Sequence, residues 1–284
     1  MGAARGRARR MKLRIFQDSC IGRRRTNQDR TGFAYARERA MLIVADGMGG
    51  HPRGELAAQI AVDDVLAHFA DWSRAGDRDV ESLLRTAFDA AHRAIHRRAG
   101  QERLWDLPRT TCTACVVLDD TVTWCHVGDS RLYLVRDGAI LATTRDHSGA
   151  WLLVEQGVID AEEARAHPDR NFVYNCLGGE VAPDIEMAPP VTLRTGDRIM
   201  LCSDGLWSPV KNEEIAAALA RDASETGLEA LLREAEARAG AYADNLSYVA
   251  LAVLDDAGED SLDLDAVALG EVVVRFGPEA AATP

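Results

Sequence analysis

Thr121-Val-Thr-Trp-Cys-His-Val-Gly-Asp-Ser-Arg-Leu-Tyr-Leu-Val-Arg-Asp-Gly-Ala-Ile-Leu-Ala-Thr-Thr144 reads as three strands in succession, over 121–127, 131–136 and 139–144. Apolar and β-branched residues fill each run. Asp137-Gly138 separates the last two, the dipeptide favoured by a type I′ hairpin because both of its central residues need positive φ. A further apolar run at 111–119 precedes them. Strands joined this closely pair antiparallel, since a parallel return needs a crossover of about a dozen residues or more.

Upstream, strand patterns recur at 12–18, 31–36 and 40–45, and Ala40-Met-Leu-Ile-Val-Ala45 is apolar enough to be buried on both faces. Two amphipathic helices follow. Leu56, Ile60, Val62, Val65, Leu66 and Phe69 form one apolar stripe; Val80, Leu83, Leu84, Ala87, Phe88, Ala91 and Ile95 form the other. Downstream, residues 148–190 lose periodicity and carry Gly157, Gly178, Gly179 and Pro189-Pro190, which predicts a partly helical, mobile insertion. A strand at 198–203, helices over 212–220 and 225–239, and a strand at 247–254 complete the pattern. Short-linked strands with helices in two pairs predict an α+β sandwich forming one domain over 11–254. Residues 1–10, rich in Arg, Gly and Ala, read as a disordered basic tail. Residues 255–284 are an extension with eight acids against one Arg; Val272-Val273-Val274 within it reads either as an added edge strand or as part of a solvated tail.

Composition narrows the function. The chain has 284 residues, 45 acids against 33 Lys and Arg, and a net charge of −12. Nucleic-acid binding rests on cations displacing counterions from phosphates, so a nucleic-acid partner is not expected. Six cysteines at irregular spacings read as free thiols, and Cys112-Thr-Ala-Cys115 lies in a strand that sends its two thiols to opposite faces. No apolar run reaches 18 residues, and the basic N-terminus lacks the apolar segment of a signal peptide, so a cytoplasmic protein with no membrane association is expected.

The acids mark strand ends. Asp46-Gly47 follows the run ending at Ala45, Asp204-Gly205 follows Ile199–Ser203, Asp129 sits between two strands, Asp29 ends Asn27-Gln28-Asp29, and Asp244-Asn245 precedes a strand. Any single Asp-Gly of this kind reads as a turn. Were the five to converge, their repulsion would call for a cation, and hard ions with oxygen ligands, Mg²⁺ or Mn²⁺, suit carboxylates better than zinc does.

Seven short motifs hold these residues in order: Gly22-Arg-Arg-Arg-Thr-Asn-Gln-Asp29, Val44-Ala-Asp-Gly-Met-Gly-Gly-His51, His126-Val-Gly-Asp-Ser-Arg131, Thr144-Arg-Asp-His-Ser148, Leu177-Gly-Gly179, Leu201-Cys-Ser-Asp-Gly-Leu206 and Asp244-Asn-Leu-Ser247. Over residues 12–254 the chain resembles the metal-dependent protein phosphatases of type 2C, in particular their bacterial serine/threonine members. The resemblance implies a four-layer α-β-β-α sandwich, two antiparallel sheets flanked by helix pairs, with a two-metal centre at one end. It implies that Asp46 bridges two Mn²⁺ or Mg²⁺ ions, that the Gly47 carbonyl binds one of them, and that Asp204 and Asp244 are further ligands. Asp29 matches a carboxylate that reaches the site directly or through water; Asp129 matches the acid that helps to hold a third, weaker ion. Residues 148–190 correspond to the family's variable flap.

The reaction implied is hydrolysis of phosphoserine or phosphothreonine by metal-activated water, without a phosphoenzyme. Arg24, five residues before Asp29, matches the phosphate-binding Arg, and its fork suits two phosphate oxygens. The general acid is unassigned: eukaryotic-type members carry a His two residues after the bridging Asp, where this chain has Met48. His51 and His147 are the candidates, and each reads first as structural. His92 and His96, four apart on a helix, lack a third ligand and read as surface residues. The partners implied are phosphorylated proteins, including a serine/threonine kinase or its substrates. A catalytically silent phosphoprotein-binding relative is the competing reading, against which stands the presence of Asp46, Asp204 and Asp244. A nuclease is disfavoured by the charge, and Asp263-Leu-Asp265 lacks the further acid and Gly of a calcium loop.

Overall fold

In the computed structural model, which describes residues 12–49, 53–221, 225–254, 262–264, 267, 268 and 270–277, the apolar runs form strands whose alternate residues face two different cores. The first three are β1 (Lys12–Cys20), β2 (Asp29–Ala36) and β3 (Arg39–Asp46), followed by α1 (Gly54–Ala75) and α2 (Val80–Glu102). Then come β4 (Cys112–Leu118), β5 (Thr121–Val127), β6 (Arg131–Arg136) and β7 (Ala139–Thr143). The insertion contributes α3 (Gly149–Glu155), α4 (Ala161–Ala166) and a 3-10 turn, Pro168–Asn171, before the two-residue strands β8 (Glu186–Met187) and β9 (Val191–Thr192). The chain continues through β10 (Arg198–Cys202), α5 (Asp204–Trp207), α6 (Asn212–Arg221), α7 (Glu225–Ala239), β11 (Leu246–Leu254), β12 (Leu262–Asp263) and β13 (Val272–Phe276).

One sheet runs β12-β1-β11-β10-β6-β7; the other runs β13-β2-β3-β4-β5-β8, with β9 also on β5. All these pairings are antiparallel. Asp137 and Gly138 stand at φ 51° and 77°, as the type I′ reading requires.

Three apolar layers hold the sandwich. On β3, Met41, Ile43 and Ala45 face α1 and α2, where they meet Val62, Phe69 and Phe88. Ala40, Leu42 and Val44 on the same strand face the other sheet and join Leu132, Leu201 and Leu251. A strand buried on both faces is therefore continuously apolar, as Ala40–Ala45 is. The third layer packs Tyr133, Met200 and Tyr248 against Leu219 of α6 and Leu232 of α7. Each Val, Leu or Phe so buried contributes about 1.5–3 kcal/mol. Cys112 faces the helix layer and Cys115 the inter-sheet layer, and all six cysteines are free thiols.

One open sequence reading is resolved and another is overturned. The edge-strand alternative holds for the acidic extension, because β12 pairs with β1 and β13 with β2. Gln17 Nε2 also donates to the Phe276 carbonyl at 3.0 Å, so the extension belongs in part to the sandwich. His92 and His96 are half-buried rather than surface residues. The Gly178 N–H donates to His92 Nδ1 at 3.1 Å, and His96 Nε2 lies 2.9 Å from the Gly179 carbonyl oxygen. They border the buried Ala91/Ile95 stripe of α2, where the 177–179 backbone crosses, which i,i+4 spacing alone does not reveal.

Candidate metal centre

Antiparallel register puts Asp29 opposite Asp46, at the start of β2 and the end of β3. In the other sheet β10 ends just before Asp204 and β11 begins just after Asp244, at the same end of the sandwich. Asp129 lies in the β5–β6 turn. Arg24, Asp46, Gly47, Asp129, Asp204 and Asp244 line one pocket of about 280 Å³. Six of the residues singled out in the sequence thus meet there, and Asp29 stands buried beside Asp46 at 2% exposure.

Backbone contacts fix each acid. The Asp46 carbonyl accepts from Thr111 N–H at 2.9 Å and from the Thr110 hydroxyl at 2.8 Å, and its own N–H donates to Thr111 Oγ1 at 3.1 Å. Gly47 is required by close approach: a Cβ there would stand 2.4 Å from the Gly54 carbonyl carbon and oxygen. The Asn245 side chain accepts from Gln28 N–H at 2.8 Å and donates to the Ile21 carbonyl at 2.9 Å, so it ties the 21–28 loop to the start of β11. Trp207 Nε1 donates to the Asp129 carbonyl at 3.0 Å, and the Arg131 guanidinium lies 3.5 Å from the Trp207 ring centroid. Arg131 itself grips Asp146 through two 2.7 Å bonds.

A closed polar ring, to which the sequence reading gave no role, surrounds Asp29. Ser203 Oγ donates to Asp29 Oδ2 at 2.6 Å and accepts from Ser247 N–H at 3.0 Å. The Ser247 and Ser19 hydroxyls lie 2.7 Å apart, Asn27 Nδ2 donates to Ser19 Oγ at 2.7 Å, and Asp29 N–H donates to Asn27 Oδ1 at 3.1 Å. Asn27, Ser203 and Ser247 belong to the ordered motifs, which was the available signal. The Ser203 and Ser247 contacts to Asp29 and Ser19 join strands far apart in sequence.

The electrostatics follow from crowding. Burial, then the charges of Asp29, Asp204, Asp129 and Asp244, hold the Asp46 carboxyl well above its ordinary value. Burial, then Asp244 and Asp29, pushes Asp204 up to about 7; burial raises Asp29 to about 6, against the lowering effect of its Ser203 bond. Asp129 is likewise raised well, by burial and then by Asp204. Asp29 and Asp204 both reach the Asp46 carboxyl, and that contact in part offsets the rise in their own values. Arg24 Nη2 donates to Asp244 Oδ2 at 2.6 Å. Asp29 Oδ1 is buried without a hydrogen-bond partner among the described residues, an expensive state for an acceptor of negative charge. All-oxygen donors, several acids and an orphaned carboxylate oxygen fit hard divalent cations.

His147, one of the two general-acid candidates, is buried and does not line this pocket. Its Nδ1 accepts from the Gly128 N–H at 3.1 Å, which leaves the proton on Nε2, 3.4 Å from Glu186 Oε2. His126, stacked on it at 4.5 Å, completes a trio of close donor atoms with Glu186. With Nε2 protonated, the trio acts as a hydrogen-bonded tether between β8 and the 144–148 segment. His51, the other candidate, lies outside the described residues.

Comparison with known proteins agrees with the fold. The family model described as Protein phosphatase 2C matches residues 16–239. The serine/threonine protein phosphatase PstP of Mycobacterium tuberculosis is 36% identical over 248 residues, which is 86% of this chain and 45% of PstP. The chain therefore spans about half the length of that relative. The protein phosphatase PhpP of Streptococcus pneumoniae is 32% identical over 72% of this chain and 82% of its own. Among solved structures, the PstP catalytic domain in complex with two manganese ions matches with a TM-score of 0.71 at 34% identity, over 86% of this chain and 100% of that one. Stp1 from Staphylococcus aureus matches with a TM-score of 0.76 at 27% identity, over 90% and 100%.

Proposed function

The chain belongs to the protein phosphatase 2C family, and from that premise we propose that it is a metal-dependent serine/threonine phosphatase acting on phosphorylated proteins. The observation that carries the reading is the convergence of Asp46, Asp204, Asp244 and Asp129, with Arg24, on one pocket at the end of both sheets. In this reading Asp46, the Gly47 carbonyl, Asp204 and Asp244 hold two Mn²⁺ or Mg²⁺ ions, with Asp129 toward a third. Ions held there lower the pKa of coordinated water, making a nucleophile available near neutral pH.

The remaining steps belong to the chain. Arg24, half-exposed at the pocket mouth, turns its fork from Asp244 toward two phosphoryl oxygens and orients the phosphorus. Asp29, locked by Ser203, presents its free Oδ1 toward the ligand shell. Asp46 and Asp204 are half-buried, which strengthens charge interactions there relative to bulk water.

The physiological partners we assign are phosphoproteins, among them a serine/threonine kinase or its substrates. We place the reaction in the cytoplasm, the compartment to which six free thiols are suited. No helix among the described residues is long and apolar enough to cross a membrane. The test is hydrolysis of p-nitrophenyl phosphate and of a phosphothreonine peptide with Mn²⁺ or Mg²⁺, abolished by EDTA and restored by metal. Turnover indifferent to chelation overturns the reading.

A further inference from the structure

Arg23, Arg24 and Arg25 are consecutive and exposed in a chain of net charge −12. Arg24 is paired with Asp244, whereas Arg23 and Arg25 form no ion pair among the described residues. The loop that carries them is fixed. Gly22 sits at φ 59°, and a Cβ there would lie 2.0 Å from the Asp244 carbonyl oxygen. Arg23 N–H donates to the Ala243 carbonyl at 2.9 Å, and Asn245 Nδ2 holds the Ile21 carbonyl. The arginines are thereby anchored to the 243–245 backbone that also carries Asp244.

We propose that Arg23 and Arg25 form an acid-recognition rim, which selects phosphoprotein segments bearing Asp or Glu beside the phosphorylated residue. The inference rests on the phosphatase reading and names its substrate class. With the phosphoryl group on Arg24, the flanking residues of an extended peptide lie about 3.3–3.6 Å per residue to either side, within reach of the neighbouring guanidinium arms. Arg23 and Arg25 are exposed cations on either side of Arg24 with no ion pair among the described residues, so a carboxylate beside the phosphorylated residue finds opposite charge there. Because the loop is held by backbone contacts, binding orders only the side chains.

The test compares two phosphothreonine peptides identical except for Asp or Lys on both sides of the phosphorylated residue. Their kcat/KM is measured with Mn²⁺, and their binding by fluorescence anisotropy. Wild type favours the acidic peptide about 10-fold, as two exposed charge pairs allow, and the preference shrinks as salt rises from 50 to 500 mM. The double variant R23E/R25E loses or inverts the preference in both measurements, whatever its own p-nitrophenyl phosphate turnover, because the preference is a ratio of two peptides taken on one protein. R93E/R97E, the same charge change at exposed positions of α2, leaves the preference intact. An equal preference in wild type and R23E/R25E, an equal loss in R93E/R97E, or displacement of the acidic peptide by a lower concentration of single-stranded oligonucleotide overturns the rim. If p-nitrophenyl phosphate is not hydrolysed, the phosphatase reading fails by itself, and the anisotropy ratio still decides the rim.

Discussion

Ser203 Oγ donates a 2.6 Å hydrogen bond to Asp29 Oδ2 across 174 residues of sequence, while Asp29 Oδ1, buried in the same place, has no hydrogen-bond partner among the described residues. One oxygen is thus fixed by the protein, and under the proposed function the other is the one offered to the ions. Supporting bonds of this kind typically govern metal affinity by about 10- to 100-fold. Ser203→Ala should weaken Mn²⁺ binding, measured by calorimetry, by about 10-fold or more, and Ser203→Thr should restore most of it. Unchanged affinity in the Ala variant would show that the ring serves folding alone.

Asp46 receives the charges of four other aspartates. Asp46→Asn keeps its shape and removes one charge from the crowd, so it should abolish turnover while the metal-free protein melts at the same temperature or higher. Wild-type rates, or a variant that fails to fold, would remove Asp46 from the centre of the site.

The crowding also gives the metal-free protein a pH dependence with a definite sign. Asp204 is held up at about 7, with Asp46 and Asp129 raised as well, whereas unfolded carboxylates titrate near about 4. The folded chain then holds more protons than the unfolded one, and stability falls as pH rises through the folded values. His126, lowered to about 4 mainly by burial, works in the opposite direction below its ordinary value of about 6.5, so the clean window is pH 6.5 to 8. In EDTA the melting temperature should decline across that window, and saturating Mn²⁺ should flatten the decline. A flat or rising profile in EDTA contradicts the convergence of charges.

Two glycines two positions apart in the same motif make a steric test. A Cβ on Gly47 would meet the Gly54 backbone at 2.4 Å, whereas one on Gly49 meets nothing among the described residues nearer than the Gln28 side chain at 3.9 Å. Gly47→Ala should cost several degrees in melting temperature or abolish folding, and Gly49→Ala should change it by about a degree or less. Equal effects would mean that the β3–α1 junction is not the close contact described.

The strands and helices were legible because their patterns are local. Ala40–Ala45 announces a doubly buried strand, Asp137-Gly138 a type I′ turn, and the stripe from Val80 to Ile95 a helix face. The aspartates were legible as ligand candidates because a carboxylate at the end of an apolar strand is out of place unless something pairs with it. His92 and His96 were misread as surface residues because what they touch, the 178–179 backbone, is more than 80 residues away in sequence. The ring around Asp29 went unassigned for the same reason.

By itself the sequence determined which residues are apolar, where the chain turns and which acids stand at strand ends, since each depends on neighbours a few positions apart. Only the tertiary structure decided that Asp29 faces Asp46, that Ser203 holds Asp29, that Arg24 rests on Asp244 and that β12 and β13 add edge strands to the two sheets. Those relations are set by strand register and sheet order, which bring distant segments within hydrogen-bond reach and leave no trace in local pattern.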